Sequence, residues 1–490
     1  MTDGSGVAEA QRLERPRRPE LLIPLIVAIA FLMEQLDATI VTTAIPDMAR
    51  ALRTSAVQMN LAVSAYILTL AVLIPLSGWC ADRYGMRRVF TAALAVFTLG
   101  SALCGAADSF AMLVTTRILQ GAGGAMMTPV GRLILLRRFP RNELVRAMTY
   151  TTLPAIIGPV VGPLLGGYLT TYLSWRWIFY INLPFGLLGM ALAYRFVAPQ
   201  PAEDVPPFDL AGFALFCVGV GLLQFTMEGV GHLSWIALGA TAAIAVGLVL
   251  AFAWRSRGRS HPAVDLSLLR QRAFGIATLA GGLCRVAMNA PVYLLPLLLQ
   301  LGLGMTPVAS GSLTFLSALG APWIRVAMAP ALRRLGFRTL LIGSALACTG
   351  VLASFSLIGP DTPRIGIASA IIVFGLVRST QFMTSNTLAY AEVEPRRLSR
   401  ATSLGGLIQQ LTVSFGVSLG AALLGLLSPT LSHLTVAPFH IVFRVIALLP
   451  LLAVPVFARM RHADGAVVSG HAPSTSAQER NRRGGTHDGG

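Results

Sequence analysis

Lysine is absent from this chain of 490 residues, so all 38 basic residues are arginine. Acids are scarce too, at 21, and charged residues of all kinds make up only 12%. With 54% hydrophobic residues and a mean hydropathy of +0.69, that shortage excludes a water-soluble globular domain. Cysteines number five, an odd count. Cys80, Cys104, Cys217, Cys284 and Cys348 lie within or at the ends of apolar runs, with no C-x-x-C pair. A disulfide framework and a cysteine metal site are therefore unsupported. Neither H-E-x-x-H, a nucleophile elbow, a phosphate-binding glycine loop nor a Cys/His cluster occurs. The sequence thus points away from an enzyme and from a nucleotide-driven machine, and any energy for work must come from an ion gradient.

What the chain does have is apolar runs of membrane-crossing length, about 20 residues each. Fourteen are predicted, centred near Ile29, Leu68, Val96, Met126, Ile157, Leu187, Val218, Ile244, Val292, Ser317, Leu346, Ile372, Phe415 and Leu448. The first is too long for a signal peptide and holds two acids, so it is expected to remain as a spanning helix. The tails over residues 1–20 and 462–490 lack bulky apolar residues and are expected to be disordered and cytoplasmic. With the N-terminus inside, arginines crowd the inner segments, as at Arg83, Arg87, Arg88, Arg137 and Arg138. The outer loops then carry only Arg50, Arg53, Arg176 and Arg364. The net charge of +17 therefore reads as membrane orientation, and no nucleic-acid partner is expected.

Between the second and third runs lies a charged tight loop, Gly78-Trp-Cys-Ala-Asp82-Arg83-Tyr-Gly85-Met-Arg87-Arg88. Its glycines should let two helices approach and the chain reverse. Asp82 can bond arginines at the end of a neighbouring helix, latching that face with help from Arg83 and Arg87. Residues Ala329 to Arg338 repeat the pattern weakly, with Gly336 on Gly85, but Arg333 takes the place of Asp82. Such a repeat suits two halves facing each other across a cavity.

The first loop resembles the loop between helices 2 and 3 of the major facilitator superfamily of secondary transporters. Arg117-Ile-Leu-Gln120-Gly121-Ala-Gly123-Gly124 is similar to that superfamily's helix 4 motif. Gly158-Pro159-Val-Val-Gly162-Pro163-Leu-Leu-Gly166-Gly167 resembles its helix 5 antiporter motif. Leu36-Asp37 to Pro46, Trp175 to Pro184, and Phe439-His440-Ile-Val-Phe443 resemble segments of the fourteen-helix drug:proton antiporters of the EmrB/QacA type. Arg378 to Tyr390 resembles an HsrA-like subgroup. The resemblance implies an all-α major facilitator fold of two six-helix bundles, over 21–200 and 257–461, with two inserted helices over 209–256. It implies a multi-pass protein of the bacterial inner membrane that exports small amphipathic organic compounds in exchange for protons, with no cofactor. Some fourteen-helix relatives are expected to work with a periplasmic adaptor, of which this sequence carries no sign. The rival reading is a facilitator or symporter importing an organic acid.

Ionisable groups in hydrocarbon are costly and so are functional candidates. Glu34 and Asp37 are the acids well inside a predicted span, on one helix face. At about 1.5 Å rise per residue, Asp37 lies roughly 23 Å above Leu22 and Arg117 roughly 9 Å below Ala111. Those heights sum to about the hydrocarbon thickness, which puts Asp37 and Arg117 at one level as a candidate proton switch, with Glu34 as a second site. Arg285, Asn289 and Tyr293 recur at helical spacing, as do Arg378, Phe382 and Asn386, with Gln381 beside them. With Gln300 and Gln409 these are the candidate cavity lining, and their arginines favour an anionic or zwitterionic substrate. Gly158, Gly162 and Gly166 form a small-residue stripe. With Pro159, Pro163 and Gly167 it is the candidate gating hinge. Trp175, Trp177 and Tyr180 read as aromatic anchors at the membrane boundary.

Overall fold

The computed structural model describes residues 18–139, 158, 161–199, 207–230, 233–257, 259, 262–394, 397–427 and 435–461, and no strand occurs among them. In chain order the helices are α1 (Arg18–Ile40), α2 (Asn60–Tyr84), α3 (Met86–Gly105), α4 (Phe110–Arg138), α5 (161–172), α6 (Asn182–Phe196), α7 (Leu210–Glu228) and α8 (Trp235–Ser256). They continue as α9 (Arg272–Leu297), α10 (Pro307–Phe315), α11 (Gly320–Ser354), α12 (Arg364–Ala391), α13 (Leu398–Leu427) and α14 (Val436–Ala447, resumed over Leu449–Ala458). Eleven described helices are long and apolar enough to cross a membrane. α4 falls outside that group because Arg117, Arg132, Arg137 and Arg138 dilute its apolar run. The predicted centre at Ile157 lies outside the described residues, and Ser317 falls on the 3-10 turn after α10.

α2, α3 and α4 pack together, with α6 against α3 and α1. In the second half α9 packs on α12, α13 and α14, and α11 on α12 and α14. The α7–α8 hairpin stands at the seam between the halves, α7 touching both α2 and α13. Apolar side chains gain little by leaving lipid for another helix, so close backbone approach must hold the bundle. Gly123 shows this: a Cβ there would sit 2.8 Å from the Ala93 carbonyl.

The loops of the weak repeat turn in the same way. Gly85 has φ 87° and Gly336 has φ 71°, a region L side chains rarely enter. Gly78 behaves otherwise than expected: nothing lies within 4 Å of where its Cβ would be, so no close approach depends on it. Trp175 also departs from its anchor reading. It is 5% exposed and stacks edge-on against Phe179, whereas Trp177 is 49% exposed.

Candidate functional site

Asp37 is fully buried between α1, α4 and α6. Its Oδ2 accepts from Arg117 Nη1 at 2.5 Å, and its Oδ1 accepts from Gln120 Nε2 at 2.8 Å and Asn182 Nδ2 at 3.4 Å. Arg117 also donates from Nε to the Ala62 carbonyl at 3.2 Å, and its guanidinium lies 4.1 Å from the Tyr66 ring centroid. Ser101 accepts from Gln120 at 3.2 Å and Asn182 at 3.1 Å, closing the network. Gly100 makes this possible. A Cβ there would fall 2.7 Å from Gln120 Cα, so only glycine lets α4 come near enough for Gln120 to reach Asp37. The height arithmetic and the structure thus place Asp37 and Arg117 together. Chemically, a carboxylate held by one cation and two amides can exchange the cation for a proton.

Glu34, one turn earlier on α1, is 5% exposed and accepts from the Thr128 hydroxyl of α4. Its partner is Thr128 and not Arg117, so the two acids occupy separate sites on one face. Arg132, one turn beyond Thr128 on α4, lies over the Phe31 ring at 5.5 Å.

In the second half, Arg285 of α9 and Arg378 of α12 both lie over one ring, with guanidinium carbons 5.5 and 5.4 Å from the Phe382 centroid. Arg285 donates to Asn386 Oδ1 at 2.5 Å, and Arg378 to Asn289 Oδ1 at 3.4 Å. Three residues predicted to line the same cavity do not. Gln381 is fully buried and turned toward α11, accepting from Ser344, because it sits one residue before Phe382, about 100° round the helix from it. Tyr293 is fully buried and its hydroxyl donates to the Ala56 carbonyl at 2.8 Å. Gln300, in the π turn that follows Pro296, donates to the Thr43 carbonyl at 3.0 Å. Proline lacks the amide hydrogen the ladder needs, and past it the helix widens into the π turn, while the Tyr293 and Gln300 side chains bond main-chain carbonyls of the first half. Gln409 is exposed on α13.

These cross-half bonds gather at the end of the bundle remote from Asp82, since α2 runs from Asn60 at one end to Tyr84 at the other. Helix α5 joins them there. On one side Gly158, Gly162 and Gly166 press on Gln35, Thr39 and Ile40 of α1. On the other, a Cβ at Gly167 would lie 2.5 Å from the Pro307 carbonyl of α10, and Gly311 meets the Pro163 carbonyl. The stripe therefore packs within the first half, while Pro163 and Gly167 face the second. Pro159 lies outside the described residues. At the opposite end Asp82 bonds Arg137 of α4 at 2.6 Å. Arg87 lies 5.1 Å over the Tyr194 ring near the end of α6, so it docks a second helix end beside the Asp82 contact.

The Major Facilitator Superfamily profile matches residues 27–417. The chain belongs to the Major Facilitator Superfamily. Among its relatives are proteins named provisionally as multidrug resistance protein MdtD. That of Klebsiella pneumoniae (strain 342) is 35% identical over 463 residues, covering 94% of this chain and 97% of the relative. That of Pectobacterium atrosepticum is 37% identical over 405 residues, covering 82% and 87%. A crystal structure of a peptide transporter POT in complex with sulfate aligns with TM-score 0.67 and 14% identity, over 92% of this chain and 96% of that one, a likeness of fold.

Sequence alone does not single out Glu228, which ends α7. Its Oε1 accepts from Asn60 at 2.7 Å, Ser64 at 2.9 Å, Gln224 at 3.0 Å and Ser418 at 2.5 Å. One carboxylate oxygen thus ties α2, α7 and α13, joining the inserted hairpin to both halves. The spacing of Gln224 and Glu228 was the available signal; its partners are too far apart in sequence to be foreseen.

Proposed function

We propose that this chain is a proton-coupled secondary transporter, a carrier and not an enzyme, exporting small amphipathic organic compounds by alternating access. The bundles span 21–200 and 257–461 with 209–256 inserted, in a bacterial inner membrane, both termini cytoplasmic. The buried Asp37–Arg117 pair carries the reading. An ion pair there is expensive in desolvation and is a poor source of stability. It suits a group that must change charge during the cycle. A proton entering from outside neutralises Asp37 and releases Arg117, and the freed Arg117 no longer holds α4 to α1. The bonds of Tyr293, Gln300 and Glu228 seal one face, and they must part when that face opens. Protons and substrate are coupled because each binds the two states unequally. The MdtD relatives' name supports export of drug-like compounds.

The test is transport in proteoliposomes under an imposed pH gradient, wild type beside Asp37→Asn. Movement opposite to protons, lost in Asp37→Asn while the protein stays folded, is expected. Movement along with protons would favour import of an organic acid, a reading that Arg285 and Arg378 support. Gradient-driven transport unaffected by Asp37→Asn would overturn the proposed coupling.

A further inference from the structure

From Arg272 to Ala458 the acids are Asp361, Glu392 and Glu394, and none of them lies inside a span. Yet Arg285 and Arg378 lie within spans, and neither forms a salt bridge among the described residues. The acids of the first half do not serve them. Asp37 is held by Arg117, Glu34 by Thr128, and Glu228 by four neutral donors. Arg285 is only 4% exposed and its Nε has no acceptor. Asn289, 1% exposed, has an unpartnered Nδ2 although its Oδ1 accepts from Arg378. A guanidinium cannot shed its charge as a lysine can, so two such groups need an anion or a large compensating field. The Phe382 ring beside both supplies a quadrupole only, worth far less than a counter-ion.

We propose that Arg285 and Arg378, both set against Phe382, form a subsite for the carboxylate of an aromatic or otherwise apolar organic acid. The acid's head is the missing counter-ion, accepting from Arg285 and Asn289, whose free donors have no other acceptor. Phe382 and the apolar walls of α9 and α12 hold the body of the molecule. The substrates of this carrier are then anionic amphiphiles. The subsite deepens the exporter reading and depends on it for the direction of movement, but not for binding.

A matched series isolates the charge: 2-naphthoate, its neutral amide 2-naphthamide, and 2-naphthylmethyl-trimethylammonium. Equilibrium binding to the purified full-length protein, with no gradient, is measured for wild type, Arg285→Gln, Arg378→Gln and Arg285→Lys. Wild type is expected to prefer the carboxylate over the amide by about tenfold or more, as for a charge-assisted hydrogen bond. Each Gln variant should lose that preference while amide binding holds, and Arg285→Lys should keep part of it. Equal binding of all three compounds, preference for the cation, no binding of any, or a carboxylate preference that survives Arg378→Gln and Arg285→Gln would overturn the proposal. If Arg285→Gln does not fold, Arg378→Gln alone decides. Carboxylate preference in binding together with proton-independent transport would leave the subsite standing and sink the exporter mechanism.

Discussion

Breaking the Asp37–Arg117 pair from either side should have unequal consequences, because only one partner can neutralise itself. In Asp37→Asn, Arg117 stays charged with no anion beside it. Ala62 and Gln120 still accept from it, and the Tyr66 face at 4.1 Å remains. Those contacts exist in the wild type too, so they offset nothing. The loss is that of a buried charge without its partner, about 3–5 kcal/mol. In Arg117→Gln, Asp37 keeps Gln120 and Asn182 as donors. A carboxylate can be neutralised by a proton where a guanidinium cannot lose one, so the deficit of Arg117→Gln should be the smaller of the two. The double variant, with no buried charge, should be more stable than Asp37→Asn alone. Denaturant titration in mixed micelles, followed by the fluorescence of the six tryptophans, reads all three. An Arg117→Gln deficit as large as that of Asp37→Asn, or a double variant whose deficit is the sum of the two, would refute the reasoning.

Three further changes probe the closed end and the loops. Glu228→Ala leaves donors on α2, α7 and α13 short of an acceptor, at a cost of about 1–3 kcal/mol. Spin labels at Gln58 and Thr306, in a cysteine-free background, should then report a longer and broader distance across that end; an unchanged distribution would count against the tie. Gly167→Val drives a side chain into the Pro307 backbone, so transport should fall about tenfold or more with folding intact, the contact lying between halves; wild-type turnover would show that this contact is dispensable. Asp265, in the loop before α9, is pushed up by burial but held below its ordinary 3.8 by Ser267, Arg400 and Arg397. Its stabilising contribution is present above that ordinary value and lost as pH falls through the lower, folded one. The thermal advantage of wild type over Asp265→Asn should thus shrink toward pH 3, and a constant difference would argue against the clamp.

How much of this was legible beforehand depends on the range of each interaction. Helix positions follow from local composition, and the level of Asp37 against Arg117 follows from rise per residue. Both need only the membrane's thickness as outside information. The helix faces were harder. Gln381 sits beside Arg378 and Phe382 in sequence yet turns to Ser344, because spacing defines a face but not which neighbour covers it. Tyr293 and Gln300 continue the Arg285 stripe, but two prolines and a π turn carry them into the joint between halves.

Glu228 marks the limit most sharply. Its donors stand at positions 60, 64, 224 and 418, and no local pattern links them. A carboxylate at a helix end reads as solvated until α2 and α13 are known to meet there. Once they do, the inserted hairpin is no longer a passive spacer. α7 cannot stay bonded to both α2 and α13 if that end of the bundle opens, so the hairpin must follow one half and release the other. The four bonds to one oxygen make Glu228 the point at which that choice is made.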